Sequence, residues 1–301
     1  MTAGPSRAIL NARTYNQPES IVLVYLNGEY VPYAEARVPV DDRGFLFADG
    51  VYEVALAYNG KIYQLDAHLR RMEQGLRALR IEWDGVAGLA EVAERLLDEN
   101  QLRGEAAASV YIQVTRGAAP RAHSFPTPPV PPTVYVAARP FRLHPPSVFE
   151  DGVAAITVPD VRWSRCDIKS VSLLANVLAN QQAKDAGAFE ALFVRDGVVI
   201  EGSHSNLMAV FDGTIVTYPA CNYILRGITR DRVLELAAEL GIPAVEGPIF
   251  ADRLFEADEV FLTGTTTEVM PVVRVDGRPI GNGKPGPITK RLYEAYRAGV
   301  A

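Results

Sequence analysis

Five dipeptides, Asn27-Gly28, Asn59-Gly60, Asp196-Gly197, Asp212-Gly213 and Asp276-Gly277, constrain this chain more than anything else in it. Each stands between two short apolar runs. In that setting Asn-Gly and Asp-Gly are the strongest local signals for a two-residue β-hairpin, because both central residues take positive φ. Hairpins are therefore expected over Ile21 to Pro32, Gly50 to Leu65, Ala191 to Ile200, Leu207 to Thr217 and Pro271 to Ile280. Apolar runs predict further strands at Ala107 to Thr115, Val134 to Ala138, Val153 to Val158 and Glu259 to Leu262.

Helices are interspersed. Leu69, Met72, Leu76 and Leu79 mark the buried stripe of one, with Asp66 expected as its N-cap. A second is predicted over Gly88 to Gln101. A third carries Leu173, Leu174, Val177 and Leu178 as its expected core face. A fourth follows Gly227 over Asp231 to Leu240, and a terminal one runs from about Pro287 to Ala298. With 301 residues, 48% of them hydrophobic, such a chain can bury one large core or two. Met1 to Ser20 lacks periodicity and reads as a loose arm. Arg139 to Glu150, with three prolines and no pattern, reads as an interdomain linker. The expected division is then an arm over 1–20, a smaller domain over 21–138, the linker over 139–150 and a larger domain over 151–301.

Several function classes drop out. A formal charge of −6 without any Lys/Arg block does not make a nucleic-acid surface. No apolar run approaches the ~18 residues of a membrane-spanning helix, and Met1 to Ser20 has no signal-peptide core, so a cytoplasmic protein is expected. Cys166 and Cys221 lack ligand spacing and the four histidines are scattered, so no metal site is expected. Gly281, Gly283 and Gly286 spell GxGxxG too near the C-terminus to open a dinucleotide fold. Ser203, His204 and Ser205 adjoin without the strand-turn-helix elbow of a hydrolase.

Lys169 stands out. The chain has five lysines against twenty-five arginines, and this one follows a strand and precedes a helix whose apolar face should be buried. Desolvation lowers the pKa of a lysine, and a neutral amine can attack a carbonyl to form a Schiff base. The competing reading is a stem lying on the core with its head in water. Two downstream loops bear on the choice. Leu225 to Arg230 places Gly227, Ile228 and Thr229 at a helix start, where free N–H groups favour a phosphate, and Gly264 to Thr267 offers further N–H and hydroxyl donors. Each alone is more readily an ordinary capped turn than an anion site; beside one lysine they point to pyridoxal 5′-phosphate. Glu201, at a strand end, supplies the carboxylate that a pyridine nitrogen needs. From Arg116 to His123 three potential cations occupy one loop, as a solvated turn or a binding loop.

The stretches DDRGFLFADGVYEV, VTRGAAPRAHSFP, RCDIKS, EGSHSN, ILRGITRD and TGTTTEVMPV carry a family resemblance. From about Val24 to Tyr296 the chain resembles the class IV (fold type IV) pyridoxal-phosphate-dependent aminotransferases, and within them the bacterial D-amino-acid group. The resemblance implies an α+β chain with a small N-terminal α/β domain, a larger β-rich pseudo-barrel domain, the cofactor between them, and a homodimer. It makes Lys169 the Schiff-base lysine and proton shuttle and Glu201 the partner of the pyridine nitrogen. Arg71, Ile228, Thr229 and Thr265 would hold the phosphate, and Leu225 would pack on the ring. Tyr52, Arg121 and His123 would trap the substrate carboxylate, the last two from the partner subunit. The implied activity is ping-pong transamination from a D-amino acid such as D-alanine to a 2-oxo acid such as 2-oxoglutarate. Branched-chain L-aminotransferases, R-selective amine transaminases and 4-amino-4-deoxychorismate lyases share the scaffold and remain open alternatives. His204 departs from the family pattern, which has a small serine there.

Overall fold

The computed structural model describes residues 22–300, so the expected arm at Met1 to Ser20 lies outside the described residues. The first sheet contains β1 (Leu23–Leu26), β2 (Glu29–Pro32), β3 (Gly50–Tyr58), β4 (Lys61–Ile62), β5 (Ala107–Thr115) and β6 (Thr133–Pro140), in the order β2-β1-β6-β5-β3-β4. All its pairings are antiparallel. Helices α1 (Arg43–Phe47), α2 (Leu65–Leu79) and α3 (Leu89–Glu99) accompany it. Leu69, Met72 and Leu76 of α2 and Leu96 and Leu97 of α3 share one apolar cluster with Val110, Ile112, Val114 and Val136 of the sheet.

After α4 (Pro146–Asp151) the second sheet begins with β7 (Val153–Pro159), and α5 (Leu174–Asp185) then leads to β8 (Glu190–Arg195). There follow β9 (Val198–Gly202), β10 (Asn206–Phe211), β11 (Thr214–Thr217), α6 (Ile228–Glu239), β12 (Ala244–Glu246), β13 (Ile249–Phe250), β14 (Glu259–Gly264), β15 (Glu268–Val275), β16 (Arg278–Pro279) and α7 (Pro287–Val300). Strands run β12-β11-β10-β14-β15-β7-β8-β9-β13, and β9 also pairs with β10 through Glu201 and Asn206. That one residue pair turns an open sheet into a barrel-like ring. The expected α+β architecture, an α/β N-terminal region and a larger β-rich, barrel-like C-terminal one, is therefore what the chain adopts.

The hairpin signals hold at every site: Asn27, Asn59, Asp196, Asp212 and Asp276 have φ between 48° and 50°, each followed by a glycine at positive φ. Other expectations need correction. Asp66 lies inside the first turn of α2, whose N-cap is Gln64. The patternless stretch 139–150 contains the end of β6 and most of α4. Most consequentially, the apolar stripe expected to bury α5 faces outward. Leu174 is 73% exposed, Val177 58% and Leu178 56%, while Ala179 and Ala183 make the inward contact. The helical period was right and the face was wrong, because small alanines let α5 lie close on the sheet.

Among the described residues no helix is long and apolar enough to cross a membrane, and no group of His, Cys, Asp and Glu could hold a metal ion.

The start of α7 is fixed from another element. Glu259, buried at the start of β14, accepts hydrogen bonds from the N–H groups of Ile288 (2.9 Å) and Thr289 (2.8 Å) and from the Thr289 hydroxyl (2.6 Å). A carboxylate there satisfies otherwise orphaned donors and meets the positive end of the helix. Glu259→Ala should cost about 2–3 kcal/mol, read from urea unfolding at neutral pH; a loss under half a kcal/mol, roughly the size of an ordinary surface change, would contradict this anchoring.

Candidate active site

Between the two sheets lies a cavity of about 460 Å³, within the range of small-molecule sites. Its walls come from β3, α2, the loop before α5, the turn between β9 and β10, the start of α6 and the end of β14. Tyr52, Arg71, Lys169, Glu201, Leu225, Ile228, Thr229 and Thr265 all line it. Arg121 and His123 do not.

Lys169 is carried by an irregular loop that leaves the second sheet and is pinned to the first. The Tyr52 N–H donates to the Lys169 carbonyl (3.0 Å), the Val171 N–H donates to the Gly50 carbonyl (3.1 Å), and Ser170 bridges to Val51. Ile168, next to the lysine, is buried in the apolar cluster of the first sheet. The amine lies 4.3 Å from the centroid of the Tyr52 ring, within cation–π reach. Tyr52 is in turn stacked on Tyr111 at 5.8 Å.

Glu201 ends β9 and is buried. It pairs with Arg162 and accepts from the Leu225 N–H (3.1 Å) and the Asn206 amide (3.2 Å). Burial pushes its carboxyl up to about 7, and the Arg162 guanidinium limits the rise. Arg162 is itself gripped by Asp160, with Nε 2.9 Å from Oδ1, and lies over the Phe193 ring. The same Asn206 fixes the start of α6: its amide donates to the Leu225 carbonyl (2.9 Å), and a Cβ on Gly227 would come within 2.1 Å of Asn206 Oδ1. Only glycine lets the helix start so close.

Arg71 reaches the cavity from α2. Its Nε and Nη2 each lie 2.7 Å from a Glu53 carboxylate oxygen and its Nη1 donates to the Arg226 carbonyl (2.9 Å), leaving further guanidinium N–H groups free. His68 Nδ1 completes the set at 2.7 Å from Glu53. Burial alone would raise the Glu53 carboxyl, yet the Arg71 charge and hydrogen bonds, aided by His68, bring it down to about 2. His68 is pushed below its ordinary range by burial, against the pull of Glu53.

Glu53, His68, Arg162, Asp160, Glu190 and Asn206 escaped the sequence reading. Glu53 did leave a signal: it alternates with Val51 and Ala55 on the buried face of β3, and a carboxylate at core parity needs a cation opposite. Arg116, expected among displayed cations, is instead buried, with Nε 2.8 Å from Asp49 and its Nη groups on the Leu79 and Arg80 carbonyls. Arg121 and His123 are exposed beside the Phe47 ring, 5.1 Å and 5.6 Å away. Their backbone is held by the buried Arg43, which donates to the carbonyls of Ala122 and Ser124.

The family pattern described as amino-transferase class IV matches residues 50–275. The D-alanine aminotransferase of Staphylococcus aureus (strain N315) is 43% identical over 274 residues, which span 91% of this chain and 96% of that one. That of Bacillus licheniformis is 43% identical over 276 residues, 91% of this chain and 95% of its own. Among solved structures, the branched-chain amino acid aminotransferase of Escherichia coli has a TM-score of 0.83 at 27% identity, covering 93% of this chain and 96% of that one. The T.th. branched-chain amino acid aminotransferase with pyridoxamine 5′-phosphate has a TM-score of 0.84 at 32% identity, covering 92% and 93%.

The cavity suits a phosphate-bearing pyridine aldehyde. Gly227 leaves the N-terminus of α6 without a side-chain cap, so first-turn N–H groups are open to an anion. The Thr263 hydroxyl, in the wall and 1% exposed, has no hydrogen-bond partner among the described residues. A buried carboxyl and a lysine complete the donor set.

The depressed Glu53 carboxyl has a pH signature. Its folded-state value lies near 2 against an ordinary 4.5, so it contributes stability above the ordinary value that is lost as pH falls from about 4.5 through about 2. The contribution is on the order of 3 kcal/mol. Urea unfolding across this window should show that loss, and Glu53→Gln should flatten it; an unchanged acid limb would overturn the assignment.

Proposed function

The chain belongs to the amino-transferase class IV family, and on that premise we propose that its amino donor is a D-amino acid such as D-alanine and its acceptor a 2-oxo acid such as 2-oxoglutarate. It is a pyridoxal-phosphate-dependent transaminase. The observation that carries the reading is the meeting, in one cavity, of Lys169, Glu201 and the uncapped start of α6. The relatives named D-alanine aminotransferase support the choice of donor.

Pyridoxal phosphate, when bound, supplies an aldehyde for the donor amine and a ring that draws electrons from the substrate Cα. The chain's own residues divide the remaining work. The N–H groups of Ile228 and Thr229, the free N–H groups of Arg71 and the Thr265 hydroxyl bind the phosphate, and Leu225 packs on the ring. Glu201, a carboxyl poised near neutrality, holds a proton at the ring nitrogen, with Arg162 fixing its orientation. The Lys169 amine takes the proton from the substrate Cα as general base. Tyr52 lies against that amine and limits its range of motion.

The substrate carboxylate is the task of Tyr52 together with Arg121 and His123, whose guanidinium and imidazole give charge-assisted hydrogen bonds. Because the last two lie outside the cavity of their own chain, the reading takes the protein as a homodimer in which they serve the partner's site. The exposed Leu174, Val177 and Leu178 on one face of α5, with Val161 (75% exposed) and Trp163 (45%) at the cavity wall, support such an association, since exposed apolar side chains grouped on one helix face suit an interface. A cytoplasmic location accords with the same reading.

Two measurements test it. Reconstituted protein should transaminate D-alanine with 2-oxoglutarate and lose that activity on Lys169→Ala; turnover confined to L-leucine would place it instead with the branched-chain enzymes its fold resembles. In the second, Lys169→Ala and Arg121→Ala chains, each inactive alone, are mixed and allowed to exchange subunits. One site of each mixed dimer is then intact, so about a quarter of wild-type activity should return. No recovery would show that Arg121 acts within its own chain, and an Arg121→Ala chain active on its own would show that it has no part in the reaction.

A further inference from the structure

The transaminase reading leaves one cation of the cavity wall without a task. His204 stands in the turn between β9 and β10. Its Nδ1 lies 2.9 Å from Glu190 Oε2. Its remaining hydrogen-bond approaches, to Ser203 Oγ (3.2 Å) and Asn180 Nδ2 (3.5 Å), are also made at Nδ1, so Nε2 has no partner among the described residues. The side chain is 42% exposed, on the wall that Lys169 shares.

Glu190 does not require this histidine. It is fully buried and accepts from the hydroxyls of Ser203 (2.6 Å) and Ser205 (2.7 Å) and from the N–H groups of Ala191, Ser203 and His204. A small residue at 204 would leave all of those bonds in place. What the imidazole adds is a ring whose protonated form Glu190 favours, with Nε2 unpartnered among the described residues, on the cavity wall. The charged and titratable groups that act on it are Glu190 from β8, Lys169 from the loop before α5 and His144 from the segment after β6. Burial and Lys169 oppose its protonation, and Glu190 outweighs them, so the ring is held above the ordinary imidazole range.

We propose that His204 is a specificity-determining residue that receives the distal carboxylate of a dicarboxylic substrate. The inference rests on the transaminase reading and deepens it. Arg121 and His123 are assigned to the α-carboxylate and the α6 start to the phosphate, so a second substrate carboxylate has no other unassigned cation on this wall. Acidic 2-oxo acids, five carbons long for example, are then preferred over monoacids of equal length.

The test compares glutarate with pentanoate, a diacid and a monoacid of the same length, by calorimetric titration of the holoenzyme. Wild-type protein should bind glutarate about tenfold or more tightly than pentanoate, the size of one charge-assisted hydrogen bond, and His204→Ser should erase that ratio. The wild-type ratio should persist through the ordinary imidazole range and fall as pH rises above it, because Glu190 holds the ring's titration up. His204→Gln, which keeps a donor without a titrating charge, should show a small ratio that does not vary with pH, and it serves equally if the serine variant fails to fold. An equal ratio in wild type and variants, or equal weakening of both acids, would overturn the proposal. Failure of the transaminase reading would appear separately, as wild-type protein that does not turn over D-alanine.

Discussion

The structure depends on a single backbone splice, in which the loop carrying Lys169 belongs by sequence to the second sheet and by hydrogen bonding to the first. Ser170 bridges Val51, Tyr52 and Gly50 hold the loop's backbone from either side, and Ile168 is buried in the other core. The cavity exists because the two sheets are held at this seam without closing on each other. It also explains why Lys169 sits on irregular chain: its neighbours are hydrogen-bonded to the first sheet while the chain on either side belongs to the second. The irregular backbone is kept rigid by its partners, as positioning within a fraction of an ångström requires.

Around this seam the chain buries three carboxylates and gives each its own cation. Glu53 has Arg71, Glu201 has Arg162, and Glu190 has His204. An ionised carboxylate removed from water is costly unless paired and hydrogen-bonded, and the differing partners yield different outcomes. Glu53, with a bidentate guanidinium, is held near 2, whereas Glu201, buried beside an Arg162 that it shares with Asp160, is held near 7. One acid thus stands far below neutrality and the other close to it, one as a fixed charge that orients Arg71 and the other as a group able to share a proton. The contrast comes from geometry that only the folded chain possesses.

Much of this architecture was legible in the residues. The Asn-Gly and Asp-Gly turns set the hairpins, and the apolar runs placed β5 at its observed ends. Local rules sufficed there because the turn residues and the alternation agree. The α5 face was misread because small side chains, and not the leucine-rich stripe, let the helix lie close on the sheet; Ala179 and Ala183 were the better guide. Cavity residues tied to motifs, such as Lys169, Glu201 and Thr229, were legible. Their supports were not, because Arg162 and Asn206 act through partners distant in sequence, as with Asn206 against Gly227. Arg116 shows the opposite failure: a loop-end cation that looked displayed is consumed by Asp49 and two carbonyls at the end of α2.

The ring in the second sheet has a consequence for how the protein comes into being. Its β7 is flanked by β15, with Val153 paired to Val272, so a strand made midway through synthesis must wait for one made near the end. Such non-local pairing slows folding, since the chain entropy of closing long loops is lost before any contact compensates for it. Glu201 and Asn206 can meet locally, but their barrel has walls only when β14 and β15 arrive. A nascent chain therefore carries no finished pocket until nearly all of it has left the ribosome, and a truncated product would have nowhere to keep its vitamin.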